Sequence, residues 1–449
     1  MKKIILLLLL LVASAFSATR IAATDGNDTN PGSLESSLAT AIKAINLSGP
    51  GDAILVRGGL FAQTATISIR KSGHAQNKYY LPAFPQERPV FDFSNQPLGQ
   101  RGFSLKADHW LIQGLEIKGA GNNGMEISRE SYNRIERCSF YENRDTGLQL
   151  SNGAAFNEII NCDSYYNADP PDYGDADGFA SMLTMGTGNY FFGCRAWVNS
   201  DDGWDGYLRG ATDITTTLEQ CWSRGNGYLT DGTDPGTQAN GNGFKMGGGD
   251  NSNRDQLMHH FILKRCLAFD NKAKGFDQNN SWMAPFHVTS EDFVSLDPAW
   301  TRSPRRDDGR LPEIPFLRLA DGSDLIDAGA VIDSAFFGTA PDLGAFETSN
   351  NSHAGKVNET PGGFHLAQNH PNPFNPSTVI RYHLAASCRT SLKIFDATGR
   401  EIAVLVDSEK PAGEHWVTWH AGSLSAGVYW YRLQAGAFVQ IKKNDPGEI

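Results

Sequence analysis

Between about residue 110 and residue 276, short runs of the chain alternate apolar and polar positions and are separated by turn residues. Trp110 to Ile117 and Phe261 to Cys266 are two examples. An alternation with a period of two is typical of β-strands that bury one face. The 47 glycines and abundant Asn and Asp indicate many tight turns. The pattern therefore predicts an all-β chain built from short strands.

A repeated unit organises these strands. Five of the six cysteines begin the same hexad, Cys-x-x-x-x-Asn: Cys138 to Asn143, Cys162 to Asn167, Cys194 to Asn199, Cys221 to Asn226 and Cys266 to Asn271. A glycine follows nine residues after three of these cysteines, and Leu115 takes the cysteine position in a segment of the same length that ends at Gly124. Successive units begin 23, 24, 32, 27 and 45 residues apart, as in a solenoid with loops of variable length. We therefore predict a right-handed parallel β-helix over residues 19–347.

The repeat also gives the cysteines and asparagines a structural role. Equivalent cysteines of stacked coils would form a ladder of small, buried, reduced side chains. Equivalent asparagines would pass amide hydrogen bonds from coil to coil at a bend. Disulfides remain the alternative, since six cysteines in a secreted chain ordinarily suggest them.

The N-terminal residues predict secretion. Lys2 and Lys3 precede an unbroken apolar run, Ile4 to Val12, and then small residues up to Ala18. Residues 1–18 are therefore expected to be a signal peptide. The apolar run is shorter than the ~20 residues that span a bilayer, and no later segment matches it, so no membrane span is expected. Further on, Leu34 to Leu47 is periodic like an amphipathic helix, and we expect this helix to cap the open end of the solenoid.

The C-terminal part has a different pattern. Residues 311–347 are interpreted as the last coil and its closing loop, and residues 348–363 as a polar linker. From Phe364 onwards, alternating strands are separated by glycine-containing turns at the spacing of a small sandwich. Residues 364–449 are therefore predicted to form a small C-terminal β-sandwich.

Charge limits the partners of the protein. The formal net charge is −11, whereas nucleic acids and anionic membranes select basic surfaces, so neither is expected as a ligand. An acidic protein that acts on an anionic polymer needs local cations or a metal to hold the carboxylates of that polymer. We expect a monomer.

Acidic residues concentrate at two positions one coil apart. Asp177 precedes Gly178, and one coil later come Asp201, Asp202 and Asp205. Residues one coil apart in a parallel β-helix are neighbours, at about 4.8 Å. Four crowded carboxylates repel each other unless a cation neutralises them, and oxygen ligands without Cys or His favour Ca²⁺. The alternative is that these aspartates are only turn residues.

A lysine lies in a second motif, Gly241-Asn-Gly-Phe-Lys245-Met-Gly-Gly-Gly249. Adjacent strand residues face opposite sides of a sheet, so Phe244 and Met246 can point inward while Lys245 points towards a groove. The alternative is an ordinary solvated surface lysine.

Five ordered motifs together resemble polysaccharide lyase family nine. They begin at Asp175, Gly188, Asn199, Gly241 and Ala268, and the likeness spans most of residues 22–347. The resemblance implies Ca²⁺ ligation by Asp177, Asp201, Asp202 and Asp205, and Lys245 as the base that removes a proton in β-elimination. It implies pectate, an acidic plant cell-wall polysaccharide, as the substrate.

Other residues near these motifs are assigned by their chemistry. Arg209, Lys272 and Lys274 are candidates to hold substrate carboxylates, with ordinary surface charges as the alternative. Trp204 is expected to pack against the coil. Of His259 and His260, adjacent on a strand, only one could line a groove, and a structural role is expected.

The C-terminal segment closely resembles the type A sorting domain of the type IX secretion system. The likeness covers residues 364 to about 443 and rests on Leu366 to Thr378, Gly399-Arg400, Ala412 to His415 and Gly427 to Tyr429. It implies interaction with that secretion machinery, export across an outer membrane, and a secreted or cell-surface location. Three alternatives to a pectate lyase remain at this point: a lyase of the same fold for rhamnogalacturonan or another uronate polymer, a β-helix glycoside hydrolase, and a non-catalytic carbohydrate-binding β-solenoid.

Overall fold

A computed structural model describes most of the chain. The described residues are 16–210, 212–249, 256–275, 289–328, 340–342, 344–348, 365–366, 369, 377–384, 386–396, 400–421, 429–436 and 438–444. They belong to two compact units, one drawn from residues 1–285 and 297–316 and the other from residues 286–296 and 317–449.

The first unit is a right-handed parallel β-helix built from three sheets, which confirms the predicted fold class. Its strands, numbered β1 to β24 in chain order, pair only in parallel with the equivalent strands of neighbouring coils. Sheet I has nine strands: β1 (Thr19–Ala22), β2 (Ala53–Val56), β5 (Tyr79–Pro82), β8 (Trp110–Gln113), β11 (Arg134–Glu136), β14 (Glu158–Ile160), β17 (Asn189–Phe192), β20 (Ile214–Glu219) and β23 (His259–Lys264).

The other two sheets complete each coil. Sheet II has seven strands: β4 (Ile67–Ile69), β7 (Phe103–Leu105), β10 (Met125–Ser128), β13 (Leu148–Ser151), β16 (Phe179–Ser181), β19 (Trp204–Asp205) and β22 (Phe244–Lys245). Sheet III has eight strands: β3 (Gly59–Ala62), β6 (Pro89–Asp92), β9 (Glu116–Lys118), β12 (Ser139–Tyr141), β15 (Asp163–Tyr165), β18 (Arg195–Trp197), β21 (Trp222–Arg224) and β24 (Leu267–Phe269). Each coil runs from sheet I to sheet III and then to sheet II.

Apolar columns from the three sheets fill the core. One column on sheet II is fully buried and consists of Phe103, Met125, Leu148, Phe179, Trp204 and Phe244. The predicted cysteine column is also present. All six thiols are free, and Cys138, Cys162, Cys194 and Cys221 are buried. The disulfide alternative is therefore wrong for this structure.

A ladder of asparagine side chains forms hydrogen bonds with backbone N–H groups at the bends between sheets III and II. The side-chain amide of Asn143 donates to Oδ1 of Asn167 at 2.9 Å, and Asn167 donates to Asn199 at 2.8 Å. The ladder continues through Asn226 to Asn271, with 2.9 Å at both steps. Each Oδ1 also accepts the backbone N–H of the preceding asparagine of the ladder, so a buried bend has no unpaired donor there.

A second asparagine ladder lies at another bend and was not predicted. The amide of Asn133 donates to Asn157 and that of Asn157 donates to Asn189, both at 3.1 Å. These asparagines lie at the start of strands of sheet I, where the sequence shows no cysteine hexad to mark the position.

Left-handed backbone residues make the corners sharp. The residue before each repeat cysteine has a positive φ, for example 54° at Arg137 and 53° at Gln220. The residue before each ladder asparagine has one too, for example 55° at Glu142 and 53° at Val198. Such angles are uncommon for residues other than glycine, so the stacked hydrogen bonds of the coils must compensate for the local strain.

The helix at the N-terminal end is shorter than predicted. Helix α1 covers Ala41–Leu47, and Thr40 caps it by accepting the N–H of Lys43. Leu38 instead pairs with strand β1, because its backbone N–H donates to Ile21 and its carbonyl accepts from Ala23. The predicted start at Leu34 was therefore wrong. The buried face of α1 joins the apolar core of the first coils, as expected for a cap.

The predicted last coil, residues 311–347, lies partly outside the described residues and stays a prediction. The described residues between 289 and 348 contain two short 3₁₀ helices, Ser290–Asp292 and Pro298–Arg302, and no strand. Within the first unit, residues 297–316 turn back onto sheet III, where Arg305 reaches the carboxylate of Asp163.

The C-terminal residues form two small antiparallel sheets, in agreement with the prediction. One sheet has the order β25 (His365–Leu366), β26 (Ser377–Leu384) and β29 (Gly413–His420). The other has the order β28 (Glu401–Lys410), β27 (Cys388–Phe395), β30 (Tyr429–Ala435) and β31 (Phe438–Asn444). Side chains of both sheets share one apolar core.

The other predicted segments lie mainly outside the described residues. Only residues 16–18 of the predicted signal peptide and residue 348 of the predicted linker are described, and the domain boundaries stay predictions. Within the part of the chain that the structure describes, no helix has both the length and the apolar character to cross a membrane.

The Asp163 cluster generates a stability prediction. Asp163 Oδ1 lies 2.6 Å from Arg305 Nη2, and Asp163 Oδ2 lies 2.8 Å from Arg195 Nη2. Burial would raise the pKa of Asp163, but the guanidinium groups of Arg305 and Arg195 outweigh burial and lower it to about 2. Asp163→Asn should therefore reduce the free energy of unfolding by about 3–5 kcal/mol near neutral pH, measured by urea denaturation.

The acid dependence provides a further check on the same variant. A folded-state pKa below the ordinary value means that the stabilisation is complete above about pH 4 and disappears as the pH falls towards 2. The difference between wild type and Asp163→Asn should shrink over that window. The control is Asp308→Asn, which breaks an exposed pair with Arg310 and should cost less than about 1 kcal/mol. Equal losses in both variants would contradict the assignment.

Candidate active site

The predicted site residues meet on the outer face of sheet II, at its C-terminal end. Asp205 ends β19 and Lys245 ends β22, and the two residues are paired in register on adjacent coils. Asp177 lies just before β16, next to Gly178. The N–H of Gly178 donates to the carbonyl of Asp202, which places Asp177 and Asp202 on adjacent coils. Stacking in register therefore brings together residues that are far apart in sequence.

A column of glycines allows this close stacking. A Cβ on Gly203 would lie 2.5 Å from the carbonyl oxygen of Gly243, and one on Gly178 would lie 2.7 Å from the carbonyl oxygen of Gly203. Real Cβ atoms do not approach a carbonyl oxygen so closely. These glycines, which immediately follow Asp177, Asp202 and Asn242, fix the path of the chain through the site.

Three carboxylates form the centre of the site. Ligand oxygens of Asp177, Asp202 and Asp205 all lie within 4.8 Å of one another, and all three residues are buried. Thr146 donates its hydroxyl to Asp177 Oδ2 at 3.1 Å, and Asp177 Oδ1 accepts the N–H of Asp202 at 3.1 Å. Asp205 Oδ1 accepts the N–H of Tyr207 at 2.8 Å. Each carboxylate is thus held by groups of its own or a neighbouring coil.

Asp201 has a different orientation. Its Oδ1 accepts backbone N–H groups of Asn240 at 2.5 Å and Gly241 at 3.4 Å. It is not part of the three-residue oxygen cluster. Asp201 therefore anchors the loop that leads into the Lys245 strand, and its role as a metal ligand stays a prediction.

Lys245 lies against the carboxylates. Its Nζ is 3.2 Å from Asp202 Oδ2 and 3.4 Å from Asp205 Oδ2, and its side chain is 19% exposed. The neighbouring Phe244 is fully buried, and Met246 packs against the core. The alternation predicted for this strand is confirmed: the apolar neighbours face inward and Lys245 faces the outer surface.

Crowding perturbs the ionisation of the whole group. Burial, followed by repulsion from Asp205, Asp201 and Asp202, raises the pKa of Asp177 well above its usual range. Burial and Asp202 raise the pKa of Asp201 to about 8, and burial is the main reason why the pKa of Asp202 rises to about 6. Burial alone would lower the pKa of Lys245, but the surrounding carboxylates raise it. One ammonium does not neutralise four carboxylates.

The donor set fits a calcium ion. Asp202 Oδ2 is buried and forms no direct hydrogen bond among the described residues, and its close neighbour is the ammonium of Lys245 at 3.2 Å. The clustered ligand atoms are all carboxylate oxygens, and hard oxygen donors of this kind suit Ca²⁺. The residues present can therefore hold the predicted ion.

The three predicted substrate-binding residues differ in their surroundings. The ammonium of Lys272 donates to Asp234 at 2.6 Å, to the carbonyl of Gly236 at 2.5 Å and to that of Ala239 at 3.1 Å. It therefore ties down the loop before the Lys245 strand. Arg209 and Lys274 are exposed. Contact of any of the three with substrate stays a prediction.

The aromatic and histidine residues have structural positions. Trp204 is 1% exposed and stacks between Phe179 and Phe244, with centroids 4.9 Å from each, so it packs in the core as expected. His259 bridges the carbonyl of Gly206 and the hydroxyl of Thr216, and burial lowers its pKa to about 4. A neutral His259 thus supports the chain just beyond Asp205.

Sequence reasoning missed several residues of the site. Thr146 holds Asp177, and Asn242 donates its backbone and side-chain N–H groups to Asp202 Oδ1 at 2.6 and 2.9 Å. Tyr207 places its ring near two cations, 5.9 Å from Lys245 Nζ and 5.8 Å from the guanidinium of Arg209. Asn242 could have been found, because it lies one coil after Asp202 inside the lysine motif.

Comparison with known proteins gives the family. Residues 21–292 match the family model described as "Pel9A-like, right handed beta helix region". A curated pectate lyase L of Dickeya chrysanthemi is 33% identical over 405 residues, which cover 75% of this chain and 92% of that protein. Pectate lyase L of Paenibacillus polymyxa is 36% identical and covers 70% of this chain and 86% of its own length.

Solved structures agree with this result. The crystal structure of pectate lyase Pel9A matches with a TM-score of 0.67 and 32% identity, over 74% of this chain and 96% of that one. A rhamnogalacturonan lyase shares the fold, with a TM-score of 0.56 and 22% identity. The fold, the site and these likenesses define a polysaccharide lyase. The chain belongs to the Pel9A-like family of right-handed β-helix pectate lyases.

The contact between Thr146 and Asp177 generates a prediction about the metal. Thr146→Val removes the hydroxyl that holds Asp177 Oδ2. Loss of such a supporting hydrogen bond weakens metal binding by about 10-fold to 100-fold, and we expect a calcium affinity reduced to that extent in calorimetry. Thr146→Ser keeps the hydroxyl and should stay near wild type. An unchanged affinity in Thr146→Val would mean that Asp177 needs no support to bind the ion.

Proposed function

We propose that this enzyme cleaves polygalacturonate by calcium-dependent β-elimination, with Lys245 as the base. The observation that carries the proposal is the position of Lys245. It lies in register beside Asp205 and within 3.4 Å of two carboxylates that fit calcium. Acid–base chemistry needs a proton acceptor at a substrate-binding surface, and this lysine is the cation nearest to the cluster among the described residues.

The reaction requires one proton acceptor and one leaving oxygen. Nζ of Lys245 takes the proton from C5 of the uronate, and for this it must be neutral. A calcium ion among the aspartates would offset the carboxylate charge that raises the pKa of Lys245. The electrons of the C5–H bond form a C4=C5 double bond, the C4–O4 bond breaks, and water protonates O4. A calcium ion held by Asp177, Asp202 and Asp205, with Asp201 alongside, would bind the uronate carboxylate and stabilise the negative charge that develops next to it.

The site lies at the end of one column of side chains on the outer face of sheet II. The column that ends at Asp205 and Lys245 continues backwards through Ala180, Gln149 and Glu126. Glu126 is paired with Arg101 at 3.0 Å, so its charge is compensated. Ala180, Gln149 and Glu126 are buried, so the reacting sugar would meet this column at Lys245, whose side chain is 19% exposed.

The following experiment tests the reaction and the substrate together. Wild-type enzyme should produce ultraviolet-absorbing unsaturated sugars from polygalacturonate in the presence of calcium, and a chelator should abolish this activity. Lys245→Ala should lose at least about a hundredfold in rate, as expected when a general base is removed, while its melting temperature stays near wild type. Rhamnogalacturonan and alginate are included as competing substrates.

Three outcomes would reject parts of this proposal. Substantial elimination by Lys245→Ala would exclude it as the base. Full activity in chelator would exclude the calcium requirement and would favour hydrolysis by two carboxylates. Faster cleavage of rhamnogalacturonan or alginate than of polygalacturonate would change the substrate.

We also propose that the two ends of the chain direct export. Residues 1–18 would pass the chain through the cytoplasmic membrane, and the C-terminal β-sandwich would serve as the sorting domain of type IX secretion. The resemblance of residues 364–443 to that domain type supports the proposal, together with the antiparallel sandwich that they form. The sandwich would then take no part in catalysis.

Deletion of residues 364–449 tests the export proposal. In a host with type IX machinery, the full-length enzyme should appear outside the cell or at its surface, while the truncated enzyme should accumulate in the periplasm. Lyase activity of the truncated enzyme in cell extracts is the control for folding. Equal amounts of both proteins in the medium would contradict a sorting role.

A further inference from the structure

A second cavity lies on sheet III, on a different face of the β-helix from Lys245. Its volume is about 450 Å³. Small-molecule sites commonly occupy ~300–1,000 Å³, so the cavity is large enough for a sugar unit. Its lining combines aromatic rings with arginines and hydroxyl groups, and includes Trp197, Trp222, Arg224, Phe269, Thr301 and Arg302.

Strand register builds this cavity. Tyr165, Trp197, Arg224 and Phe269 follow one another on successive coils of sheet III. Tyr165 and Trp197 stack nearly parallel, with centroids 4.3 Å apart and planes 7° apart. Arg224 therefore occupies a position between two aromatic residues, Trp197 and Phe269, on the outer face of the sheet.

The returning segment 297–316 forms another wall. It supplies Thr301, Arg302 and Ser303. Arg195 holds this wall in place, because it donates to the carbonyl of Ser303 at 3.2 Å and forms an ion pair with Asp163. The cavity is therefore preformed by the same buried charge cluster that fastens the segment to sheet III.

Two arginines of the cavity are not neutralised. Arg195 is paired with Asp163, but the guanidinium groups of Arg224 and Arg302 have no hydrogen bond or ion pair with any residue that the structure describes. Burial, followed by repulsion from Arg302, lowers the pKa of Arg224, although Asp270 has a smaller opposite effect. Arg224 is half-buried and Arg302 is exposed at the same cavity, so a bound anion would compensate the charge of both guanidinium groups.

We propose that this cavity is a second saccharide-binding site, which holds the carboxylate of a uronate unit between Arg224 and Arg302. Arginine forms planar paired hydrogen bonds with carboxylates, and aromatic rings such as Trp197 and Phe269 pack against the apolar face of a sugar. Thr230, Thr301 and Ser303 supply hydroxyl groups for the sugar hydroxyls. The choice of a uronate over other anionic sugars rests on the proposed function.

The second site would act as an anchor for the polymer. Its residues are separate from the aspartates and from Lys245, so it contributes no group to the reaction. A chain of linked uronates bound there would keep the enzyme on its substrate between cleavage events. Binding there would raise the local concentration of the polymer near the catalytic site.

The test separates this site from the catalytic site. Digalacturonate binding is measured by calorimetry and by tryptophan fluorescence in the Lys245→Ala background with a chelator present, so that neither turnover nor calcium contributes. Removal of either arginine charge, as Arg224→Gln or Arg302→Gln, should weaken binding by about tenfold or more. Arg302 is exposed, so its substitution does not endanger folding.

Controls define the chemistry of the ligand. Arg70→Gln changes an exposed arginine outside the cavity and should bind digalacturonate like the background protein. A neutral digalactose of the same linkage and inorganic sulfate are the comparison ligands, and both should bind much more weakly than digalacturonate.

Several results would overturn the proposal. These are no digalacturonate binding, equal binding by Arg224→Gln, Arg302→Gln and Arg70→Gln, or sulfate binding as tight as that of the sugar. None of them depends on turnover. Failure of the wild-type enzyme to cleave polygalacturonate would instead reject the proposed function and would leave the binding result to be judged separately.

Discussion

The parallel pairing of each strand with its equivalent on the next coil is the constraint on which the molecule depends. It places backbones about 4.8 Å apart, so every side chain has a fixed neighbour one coil away. Asp205 and Lys245 meet for this reason, and so do Asp177 and Asp202. The same spacing allows no side chain at Gly178 or Gly203. Catalytic geometry here is therefore a consequence of stacking, and each bend must supply hydrogen bonds that keep the register.

Much of this arrangement could be predicted from the sequence, because stacking leaves a periodic signal. The cysteine hexad identified one column of the core and one asparagine ladder directly. Features without a repeated residue type were missed. Left-handed corner residues such as Arg137, Gln220 and Val198 have no common side chain, so only the backbone reveals them. Residues 34–40 are periodic like a helix, yet the pairing of Leu38 with β1 overrides that local preference.

The candidate site shows the same limit at the level of single side chains. Register predicted which aspartates would be neighbours, but it could not predict the orientation of Asp201, which depends on backbone N–H groups at Asn240 and Gly241. The three acceptors around the ammonium group of Lys272 could not be predicted either, because they lie in a loop outside the repeat. The arginine cavity on sheet III depends on residues 301–304, more than 75 positions after Arg224 and outside the repeat.

The connections between strands differ in how much their lengths vary from coil to coil. From Glu136 to Ser139 and from Glu219 to Trp222, as in the equivalent coils from β8 onwards, only two residues join sheet I to sheet III. Insertions occur instead on both sides of sheet II, before Phe179 and before Phe244, and also between Lys245 and His259. One corner of the coil thus has an invariant length and preserves the stack, while others tolerate added residues next to the chemistry. Such a scaffold can acquire new specificity through loop growth at the corners on either side of sheet II, without any change in the packing that makes it stable.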